Sequence, residues 1–322
     1  MEHRLSGVLS RILSHSEERL PRVSTEQEQP KLIEDLQAEL YHADRTRMSS
    51  SGVRKMLHSP RHFLTFWSGL DDEDEDKDHF RIGRAAHLML LEQNKFRELY
   101  VIEPVHSGFT KSGQPTTSAN AESVQMAKKL WHAQQKPGAV IVTMDELDDL
   151  VGMIEAVLEH PVAAGMLRSG KPECTLHWTD EETGIMCKAR PDYISHDDNG
   201  NLHLIDFKTT RDIRPGIFSS SAHRLEYGVQ LAFYHDGLVR ALGKQPSTIT
   251  IISVEKKAPY EAVVYPLEDR WFEHGQERYK HALRLYKKCI ETGKWPRYQQ
   301  NAQLLQMPSA ANYDTLPEFS FE

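Results

Sequence analysis

The chain has 322 residues, 39% of them hydrophobic, and a formal net charge of −8 at neutral pH. That length and apolar content suffice for one large buried core and allow one or two domains. The negative net charge argues against a sequence-wide electrostatic attraction to nucleic acid, although basic residues can still cluster locally. No apolar run approaches the length of a membrane span and the first residues lack a signal-peptide pattern, so we expect a cytoplasmic protein without membrane contact. Cys174, Cys187 and Cys289 are too few and too widely spaced to predict a disulfide framework or a zinc site.

The first 44 residues contain two short amphipathic stretches separated by the polar spacer PRVSTEQEQP. Such a spacer is typical of a loosely attached segment, so residues 1–44 are predicted to form an N-terminal arm. The serines that follow can begin a helix, whose free amides and dipole attract anions. Ser49, Ser51 and Arg54 are therefore predicted to bind a phosphate group; an ordinary serine cap with solvated arginines is the alternative.

The segment RIGRAAHLMLLEQ has the periodicity of an amphipathic helix. Gly83 precedes His87 by four residues and shares its face, where a small residue allows another backbone to approach closely. His87 is a candidate metal ligand, although a lone helical histidine is more often an ordinary core or surface residue. Further helices are predicted over residues 121–135 and 145–160, the second ended by Pro161.

The most informative feature is the pair ARPDYI and LIDFKTT, on either side of the turn SHDDNGN. Two strands joined by an Asn-Gly turn predict a hairpin, which places Asp192 beside Asp206. Because side chains alternate faces along a strand, Asp206 and Lys208 point the same way and Phe207 points into the opposite layer. Two carboxylates and one amine are therefore expected to converge on one small volume.

This arrangement suits a hard divalent cation, because Mg²⁺ prefers oxygen ligands in octahedral geometry. Asp192, Asp206 and the backbone carbonyl of Phe207 are the predicted ligands. A cation there would lower the pKa of bound water and neutralise charge at a reacting phosphate, and Lys208 could orient or deprotonate the attacking water. The pattern predicts phosphodiester hydrolysis with Mg²⁺, or Mn²⁺ as a substitute, whereas an isolated Asp-x-Lys triplet is usually a solvated surface pair.

Several further polar residues surround this hairpin in the sequence. Glu173, at the head of the preceding strand, is predicted to support the site by reaching the metal through water, or else simply to lie at a strand edge. Arg190 is predicted either to contact a phosphate or to form a salt bridge on the strand surface. Downstream, YGVQLAFYHDGLVRALG is a predicted helix with Gln230 and Tyr234 on one face. A glutamine among apolar residues suggests a contact with a phosphate or a catalytic group, and a solvent-facing position is the alternative.

Two strands, STITIISVEKK and YEAVVYPL, and a long helix over residues 269–292 complete the predicted elements. The order of elements predicts an α/β fold with a mixed central sheet flanked by helices. The domain is predicted to span residues 45–295. Residues 296–322 are predicted to form a C-terminal tail that packs on it.

In chain order, the motifs GRAAHLMLLE, ECTLHW, CKARPDYI, LIDFKTT and YGVQLAFYHDGL resemble the RecE-type, exonuclease VIII-like branch of the PD-(D/E)XK superfamily, which is functionally akin to lambda exonuclease. The resemblance covers roughly residues 46–295 and implies the restriction-endonuclease-like core of that superfamily. It implies one set of metal ligands: His87, Asp192, Asp206 and the carbonyl of Phe207. It also implies that Lys208 is the catalytic lysine, and the Gln and Tyr of the last family motif fall on Gln230 and Tyr234.

For activity, the resemblance implies a processive exonuclease that degrades one strand of a DNA duplex from its 5′ end. The 3′ overhang that remains would serve a single-strand annealing protein. The resemblance further implies a homo-oligomeric ring, trimeric or tetrameric, in a bacterial or phage-encoded system. Two alternatives stay open, namely a RecB-like or restriction-type endonuclease on the same core and a catalytically inactive scaffold that binds DNA ends.

Overall fold

The structure is a computed structural model that describes residues 29–69 and 77–298. Its helices are α1 (Ala38–Ala43), α2 (Ser50–His58), α3 (Pro60–Trp67), α4 (Lys77–Leu91), α5 (Gln93–Leu99), α6 (Glu122–Ala133), α7 (Met144–Glu159), α8 (Pro161–Leu167), α9 (Pro215–Arg224), α10 (Tyr227–Leu242) and α11 (Asp269–Thr292). Its strands are β1 (Lys31–Ile33), β2 (Tyr100–Ile102), β3 (Gly108–Phe109), β4 (Pro115–Thr116), β5 (Val140–Val142), β6 (Gly170–Pro172), β7 (Thr175–Thr179), β8 (Met186–Ala189), β9 (Tyr193–His196), β10 (Leu202–Thr210), β11 (Thr248–Glu255) and β12 (Ala262–Pro266).

The central sheet has five strands in the order β12-β11-β10-β9-β6. β10 and β11 run parallel, with Asp206 beside Ile251, and the other neighbours are antiparallel. A parallel pair needs a long crossover connection, and α9 and α10 supply it between β10 and β11. The sheet is therefore mixed and flanked by helices, which confirms the predicted α/β fold.

The two faces of β10 belong to two different hydrophobic cores, because successive side chains of a strand point in opposite directions. Leu202 and Leu204 pack into a core with side chains of α10, α11 and the smaller three-stranded sheet. Ile205 and Phe207 pack into a second core with side chains of α4 and α7. Asp206, on the first of these faces, is only 1% exposed. The strand thus carries a carboxylate into the interior, which is costly unless the charge finds a partner.

The chain passes from one sheet to another between Ala189 and Tyr193. β8 ends at Ala189 in a three-stranded sheet of order β1-β7-β8, and β9 begins at Tyr193 in the central sheet. The sequence predicts one strand over this segment, whereas the structure divides it at Arg190, Pro191 and Asp192. A proline has no N–H to donate to a strand ladder, which favours a break there. Asp192 therefore lies at the junction of two sheets rather than within a strand.

The predicted hairpin is present as β9 and β10, in which Tyr193 pairs with Ile205. Its turn is held by the carboxylate of Asp197, which accepts the backbone N–H of Asn201 at 2.8 Å. Gly200 has a φ of 76°, a left-handed conformation that glycine adopts without a steric penalty. The Asn-Gly pair thus fixes the register that brings the Pro-Asp segment alongside β10.

The described part of the predicted N-terminal arm is packed on the domain. β1 pairs with β7, and Tyr41 of α1 is buried. The ammonium group of Lys188 on β8 donates hydrogen bonds to the backbone carbonyls of Tyr41 and Asp44. Loose attachment therefore does not describe residues 29–44, because a sheet edge and a buried lysine hold them; residues 1–28 lie outside the described residues.

The helices predicted over residues 121–135, 145–160 and 269–292 are confirmed as α6, α7 and α11. α10 and α11 cross so closely that a Cβ added to Gly275 would lie 2.2 Å from the carbonyl oxygen of Gly228. Across the described ranges, no single helix has the length and apolar character needed to cross a membrane. Only α7 and α8 taken together pass that test, and they are bent by 91°.

The C-terminal end of the described chain contacts α2 and α3. The ring of Trp295 stacks on Phe63 with centroids 5.8 Å apart, and the hydroxyl of Tyr298 donates to the carbonyl of His58 at 2.5 Å. The rest of the predicted tail, residues 299–322, lies outside the described residues. The tail and the domain boundaries therefore stay predictions.

Candidate active site

Asp206 and Lys208 lie two residues apart on β10 and meet at one point with Asp192. Lys208 Nζ is 2.5 Å from Asp206 Oδ2 and 3.9 Å from Asp192 Oδ2. The same ammonium lies 5.2 Å from the ring centroid of Tyr227, within range of a cation–π interaction. The structure thus brings together the two carboxylates and the amine that the sequence predicts to converge.

The backbone of Phe207 faces Asp192. Asp192 Oδ2 accepts the Phe207 N–H at 2.8 Å. The N–H and C=O of one strand residue point to the same side, so the Phe207 carbonyl also faces the side of β10 where Asp192 lies. Extending the pairing of Tyr193 with Ile205 by two residues puts Pro191 opposite Phe207, and proline has no N–H to offer that carbonyl. The Pro-Asp pair thus leaves a carbonyl oxygen without a ladder donor beside a carboxylate, as the ligand prediction requires.

Helix α10 adds Gln230 and Tyr234 to the site. Gln230 Nε2 donates to the Tyr234 hydroxyl oxygen at 2.9 Å and lies 3.5 Å from Asp206 Oδ1. Ser50 of α2 donates to the same phenolic oxygen at 3.4 Å. Gln230 is 9% exposed, so it is buried rather than solvent-facing. Burial, reinforced by the charges of the two aspartates, raises the pKa of Tyr234 to about 12, so the phenol keeps a proton that it can donate.

His87 reaches the site from α4. Its Nε2 lies 3.3 Å from Glu173 Oε1 and 3.5 Å from Asp192 Oδ1. One turn earlier, a Cβ on Gly83 would lie 3.1 Å from Thr209 Oγ1, so the helix does approach β10 closely at this glycine. Glu173 lies in the loop between β6 and β7 with a φ of 53°, and its N–H donates to the carbonyl of Asp192 at 3.1 Å. The loop therefore positions Glu173 beside His87 and Asp192, directly after β6, the edge strand of the central sheet.

A third carboxylate, Glu92, joins this group and was not predicted. One ligand atom from each of His87, Glu92 and Glu173 lies within 4.8 Å of the other two. Glu92 follows His87 by five residues, a spacing that does not share a helix face, and the chain turns between α4 and α5 at this residue. The sequence carried no periodic signal for it, because only the break between the helices brings the carboxylate back.

The two aspartates have opposite pKa shifts although both are buried. Burial raises the pKa of Asp192, but the charges of Lys208 and His87 outweigh burial and lower it to about 2. Burial raises the pKa of Asp206 to about 6. The charge of Lys208 opposes this increase, and the charge of Asp192 adds to it. Burial also lowers the pKa of Lys208, but the two carboxylates outweigh it and hold this pKa above its usual range. The amine is therefore a cation that the two acids share.

The helical side of the site is charged as well. Burial lowers the pKa of His87, but the charges of Asp192 and Glu173 outweigh burial and raise it to about 9. Burial is the main cause of the raised pKa of Glu173. A metal ion binds neutral imidazole and ionised carboxylate, so binding here would displace protons.

The residues predicted to bind phosphate lie in two places, at the start of α2 and beside Glu173. Ser49 caps α2, since its Oγ accepts the N–H of Gly52 at 3.2 Å. Arg54 Nη2 reaches Ser51 Oγ at 3.5 Å. Arg190 is 8% exposed and its Nε donates to Glu173 Oε2 at 2.5 Å. It therefore forms a salt bridge, the alternative interpretation, but in a buried position and not on the strand surface.

The donor set fits a divalent cation. Carboxylate and carbonyl oxygens suit Mg²⁺ and Mn²⁺, and an imidazole adds affinity for transition metals. His87 Nε2 is shielded from solvent and lies between Glu173 and Asp192, where a cation would replace its proton. A cation held here would act as a Lewis acid and would activate a bound water.

Comparisons with known proteins bear on the family of this chain. A family model described as "PDDEXK-like domain of unknown function (DUF3799)" matches residues 49–308. A solved structure from Eubacterium rectale, described as a "putative exonuclease", has a TM-score of 0.50 at 13% identity and covers 86% of this chain and 96% of that chain, which shows a shared fold. The structure of SSO0001 has a TM-score of 0.24 at 17% identity over 52% of this chain and 65% of that chain, too low to indicate one.

No curated protein matches the sequence. The family match begins at Ser49 and includes β6 to β12 with the helices between them. It therefore contains the whole central sheet and every residue that meets at the site. The chain belongs to the PDDEXK-like family, and so to the PD-(D/E)XK nuclease superfamily.

Proposed function

We propose that the protein is a divalent-metal-dependent nuclease that hydrolyses phosphodiester bonds in DNA. One observation carries the proposal: Lys208 Nζ lies 2.5 Å from Asp206 and 3.9 Å from Asp192, beside the part of β10 that extends beyond its pairing with β9. Burying two acids around one amine is costly for an ion pair that serves only the fold. Such an arrangement matches the needs of a site that must hold a cation and orient water.

Each residue has a role that its contacts allow. Asp192, Asp206 and the Phe207 carbonyl would hold the cation, which polarises the phosphate and activates water when bound. Lys208, released from part of its pairing when the carboxylates bind a cation, can orient the attacking water and stabilise charge on the phosphate. Gln230 keeps Asp206 in place through its amide.

Two further side chains support the reacting phosphate. Tyr234 retains its proton and can donate it as a hydrogen bond to a phosphate oxygen. Its phenolic oxygen is fixed by Gln230 and Ser50, so the direction of the O–H is restricted. Glu173, next to His87, adds negative charge for metal binding on the far side of Asp192.

We propose more specifically a 5′-to-3′ exonuclease on double-stranded DNA, of the RecE type, that leaves 3′ overhangs for a single-strand annealing protein. The motif series of this chain supports that choice, and the neighbour from Eubacterium rectale is itself described as an exonuclease. A ring of three or four chains around DNA, magnesium as the cation and a bacterial or phage-infected cytoplasm belong to the same proposal.

The 5′ phosphate would bind at the start of α2. The backbone amides of the first turn and the guanidinium of Arg54, whose Nη2 reaches Ser51, form an electropositive end that suits an anion. Ser50 connects this helix start to Tyr234, so a phosphate bound there would lie close to the catalytic carboxylates. Arg190, whose Nε donates to Glu173, would contact a further phosphate of the DNA.

The test is digestion of a linear DNA duplex labelled separately at its 5′ and 3′ ends, with magnesium or with chelator. Wild type is expected to release the 5′ label at once and the 3′ label slowly, only with magnesium, and to spare covalently closed circles. Lys208→Ala should be inactive, and Lys111→Ala, which removes an exposed lysine, should retain full activity.

Two other outcomes would overturn parts of the proposal. Internal cuts, or cutting of closed circles, would replace the exonuclease with an endonuclease on the same core. Binding of DNA ends without cleavage under any divalent metal would leave only the scaffold.

A further inference from the structure

The helix that carries Gln230 and Tyr234 borders a cleft on its opposite side. α10, α11 and the turn that follows α10 enclose about 510 Å³, a volume within the range of small-molecule sites. A helix has 3.6 residues per turn, so the residues of α10 that line this α10–α11 cleft point away from the candidate active site. The side chains that line the cleft include His235, Arg240, Gln245, Phe272, Gln276 and Lys280.

Lys280 brings a positive charge into the cleft without a counterion. It is half-buried on α11, and across residues 29–69 and 77–298 its ammonium group has no ion pair or hydrogen bond. Arg240, the other permanent cation of the lining, pairs with Glu181. A partly buried charge costs free energy unless a partner balances it. The cleft therefore suits an anionic group at Lys280.

The negative charge of the lining, that of Asp236, is offset by its neighbours. Asp236 Oδ1 lies 2.8 Å from His235 Nδ1, and Oδ2 accepts a hydrogen bond from Gln276 Nε2 at 3.1 Å. The hydroxyl of Tyr279 donates to the same carboxylate. These contacts fix the side chains of His235 and Gln276 before a ligand binds, which lowers the cost of ordering them on binding.

Two amides of the lining each have one end available. Gln245 Oε1 lies 2.6 Å from His235 Nε2, which leaves the NH₂ group of Gln245 for a ligand. Gln276 uses Nε2 on Asp236, which leaves its Oε1. A nucleobase has donors and acceptors along its edge, so an amide donor and an amide acceptor can bind it. The ring of Phe272 supplies an apolar surface for the face of the base.

We propose that the α10–α11 cleft binds a nucleoside monophosphate, with the phosphate at Lys280 and the base against Phe272. Exonucleases release mononucleotides, so the inference rests on the proposed function for the source of this ligand. The binding itself depends only on the cleft. A bound mononucleotide would lie behind the helix that carries Gln230 and Tyr234, on the side away from the reacting phosphate.

The experiment is isothermal titration calorimetry of the full-length chain with deoxyadenosine monophosphate (dAMP), in chelator and without DNA. The chelator prevents dAMP from binding at the candidate active site through a cation. Wild type should bind dAMP at least about tenfold more tightly than it binds inorganic phosphate or deoxyadenosine, because each of these makes only part of the contacts.

Variants of the cleft assign the binding site. Lys280→Gln should weaken dAMP binding at least about tenfold, and so should Gln245→Glu, which adds a carboxylate at an exposed position of the lining. Lys287→Gln, a matched control further along the same face of α11, should bind dAMP as wild type does. Arg54→Gln should also bind normally, because the start of α2 is a separate anion site. Melting temperatures establish that each variant is folded.

Three results would overturn the proposal. The first is dAMP binding that survives in folded Lys280→Gln and Gln245→Glu variants. The second is loss of dAMP binding in Arg54→Gln, which would place the ligand at the start of α2. The third is inorganic phosphate that binds as tightly as dAMP, since the cleft would then recognise no nucleoside.

Failure of this inference and failure of the nuclease proposal have different signatures. Metal-dependent DNA cleavage by wild type without dAMP binding in the cleft would overturn only the mononucleotide site. Binding of dAMP that responds to the variants as expected, without cleavage of any DNA, would overturn only the nuclease.

Discussion

The site has two halves that are assembled in different ways. The hairpin half consists of Asp192, Asp206, Phe207 and Lys208, which come from β10 and the segment leading into β9. The helical half consists of His87, Glu92 and Glu173, which come from α4, the start of α5 and a loop. The hairpin half is set by local register, whereas the helical half requires the packing of separate elements. Local assembly explains why the hairpin half could be predicted from the sequence and the helical half only in part.

The largest effects are expected in the hairpin half. Lys208→Ala removes the ammonium group shared by two buried carboxylates, and Asp206→Asn removes a proposed metal ligand. Each should lower the rate of DNA cleavage on the order of 10²–10⁴-fold, the usual contribution of a positioned proton-transfer or charge-stabilising group. Single-turnover cleavage of a 5′-labelled duplex measures the loss. A rate within threefold of wild type for either variant, which is about 0.7 kcal/mol, would contradict the role of this half.

The convergence of the hairpin half was predicted because its geometry follows from two short-range rules. An Asn-Gly turn sets the register, and alternation along a strand puts Asp206 and Lys208 on one face. The mixed α/β sheet and the helices α6, α7 and α11 were also predicted, since long periodic segments determine them. The position of Asp192 between two sheets was not predicted, because the division of one strand at Pro191 depends on which sheet each part joins.

The helical half contains residues that sequence patterns alone could not predict. His87 could be proposed from its helical face, and Glu173 from its place before a strand. Glu92 could not, since five residues separate it from His87 and only the turn between α4 and α5 brings it close. The packing of residues 29–44 was missed for a similar reason, because β1 is three residues long and gains its stability from pairing with β7.

A helix contact tests how far the site depends on long-range packing. A Cβ on Gly275 would lie 2.2 Å from the carbonyl oxygen of Gly228, at the start of the helix that carries Gln230. Because a backbone atom cannot rotate away, Gly275→Ala should lower the free energy of unfolding by about 3 kcal/mol, the upper range for overpacking. Gly216→Ala in α9 meets no atom within 4 Å and should raise it by up to about 1 kcal/mol. Urea denaturation measures both, and equal effects of the two variants would refute the close contact.

The two halves should also respond to pH in different ranges. His87 has a pKa of about 9 against 6.5 for the free side chain, so it stabilises the metal-free fold below pH 6.5 and loses that contribution as pH rises through 9. The charges of Lys208 and His87 lower the pKa of Asp192 from 3.8 to about 2, so the stability that these two ion pairs contribute is lost as pH falls through 2. Burial raises the pKa of Asp206 from 3.8 to about 6, so its protonated carboxyl group stabilises the fold at low pH. That contribution is lost as pH rises through 6.

Chelator-treated protein should therefore lose about 3 kcal/mol of unfolding free energy between about pH 6 and pH 9.5 relative to His87→Gln. With Mn²⁺ present the sign should reverse, because the ion replaces the proton on His87 and binds more tightly as pH rises. Urea denaturation at several pH values measures the difference. Parallel curves for wild type and His87→Gln in chelator would show that His87 has no charged partner in the fold.

The smallest effect on catalysis is expected from Glu92→Gln, which leaves the hairpin half intact. Cleavage at limiting Mn²⁺ should fall about 10–100-fold, in proportion to the weaker affinity of the site for its cation. Saturating Mn²⁺ should restore most of that rate, because the remaining donors of His87 and Glu173 still bind when the ion is abundant. Lys208→Ala should show no such recovery, since added metal cannot replace a positioned amine. Equal recovery in both variants would mean that Lys208 also acts only through metal binding, and the distinction between local and long-range assembly would then have no functional counterpart.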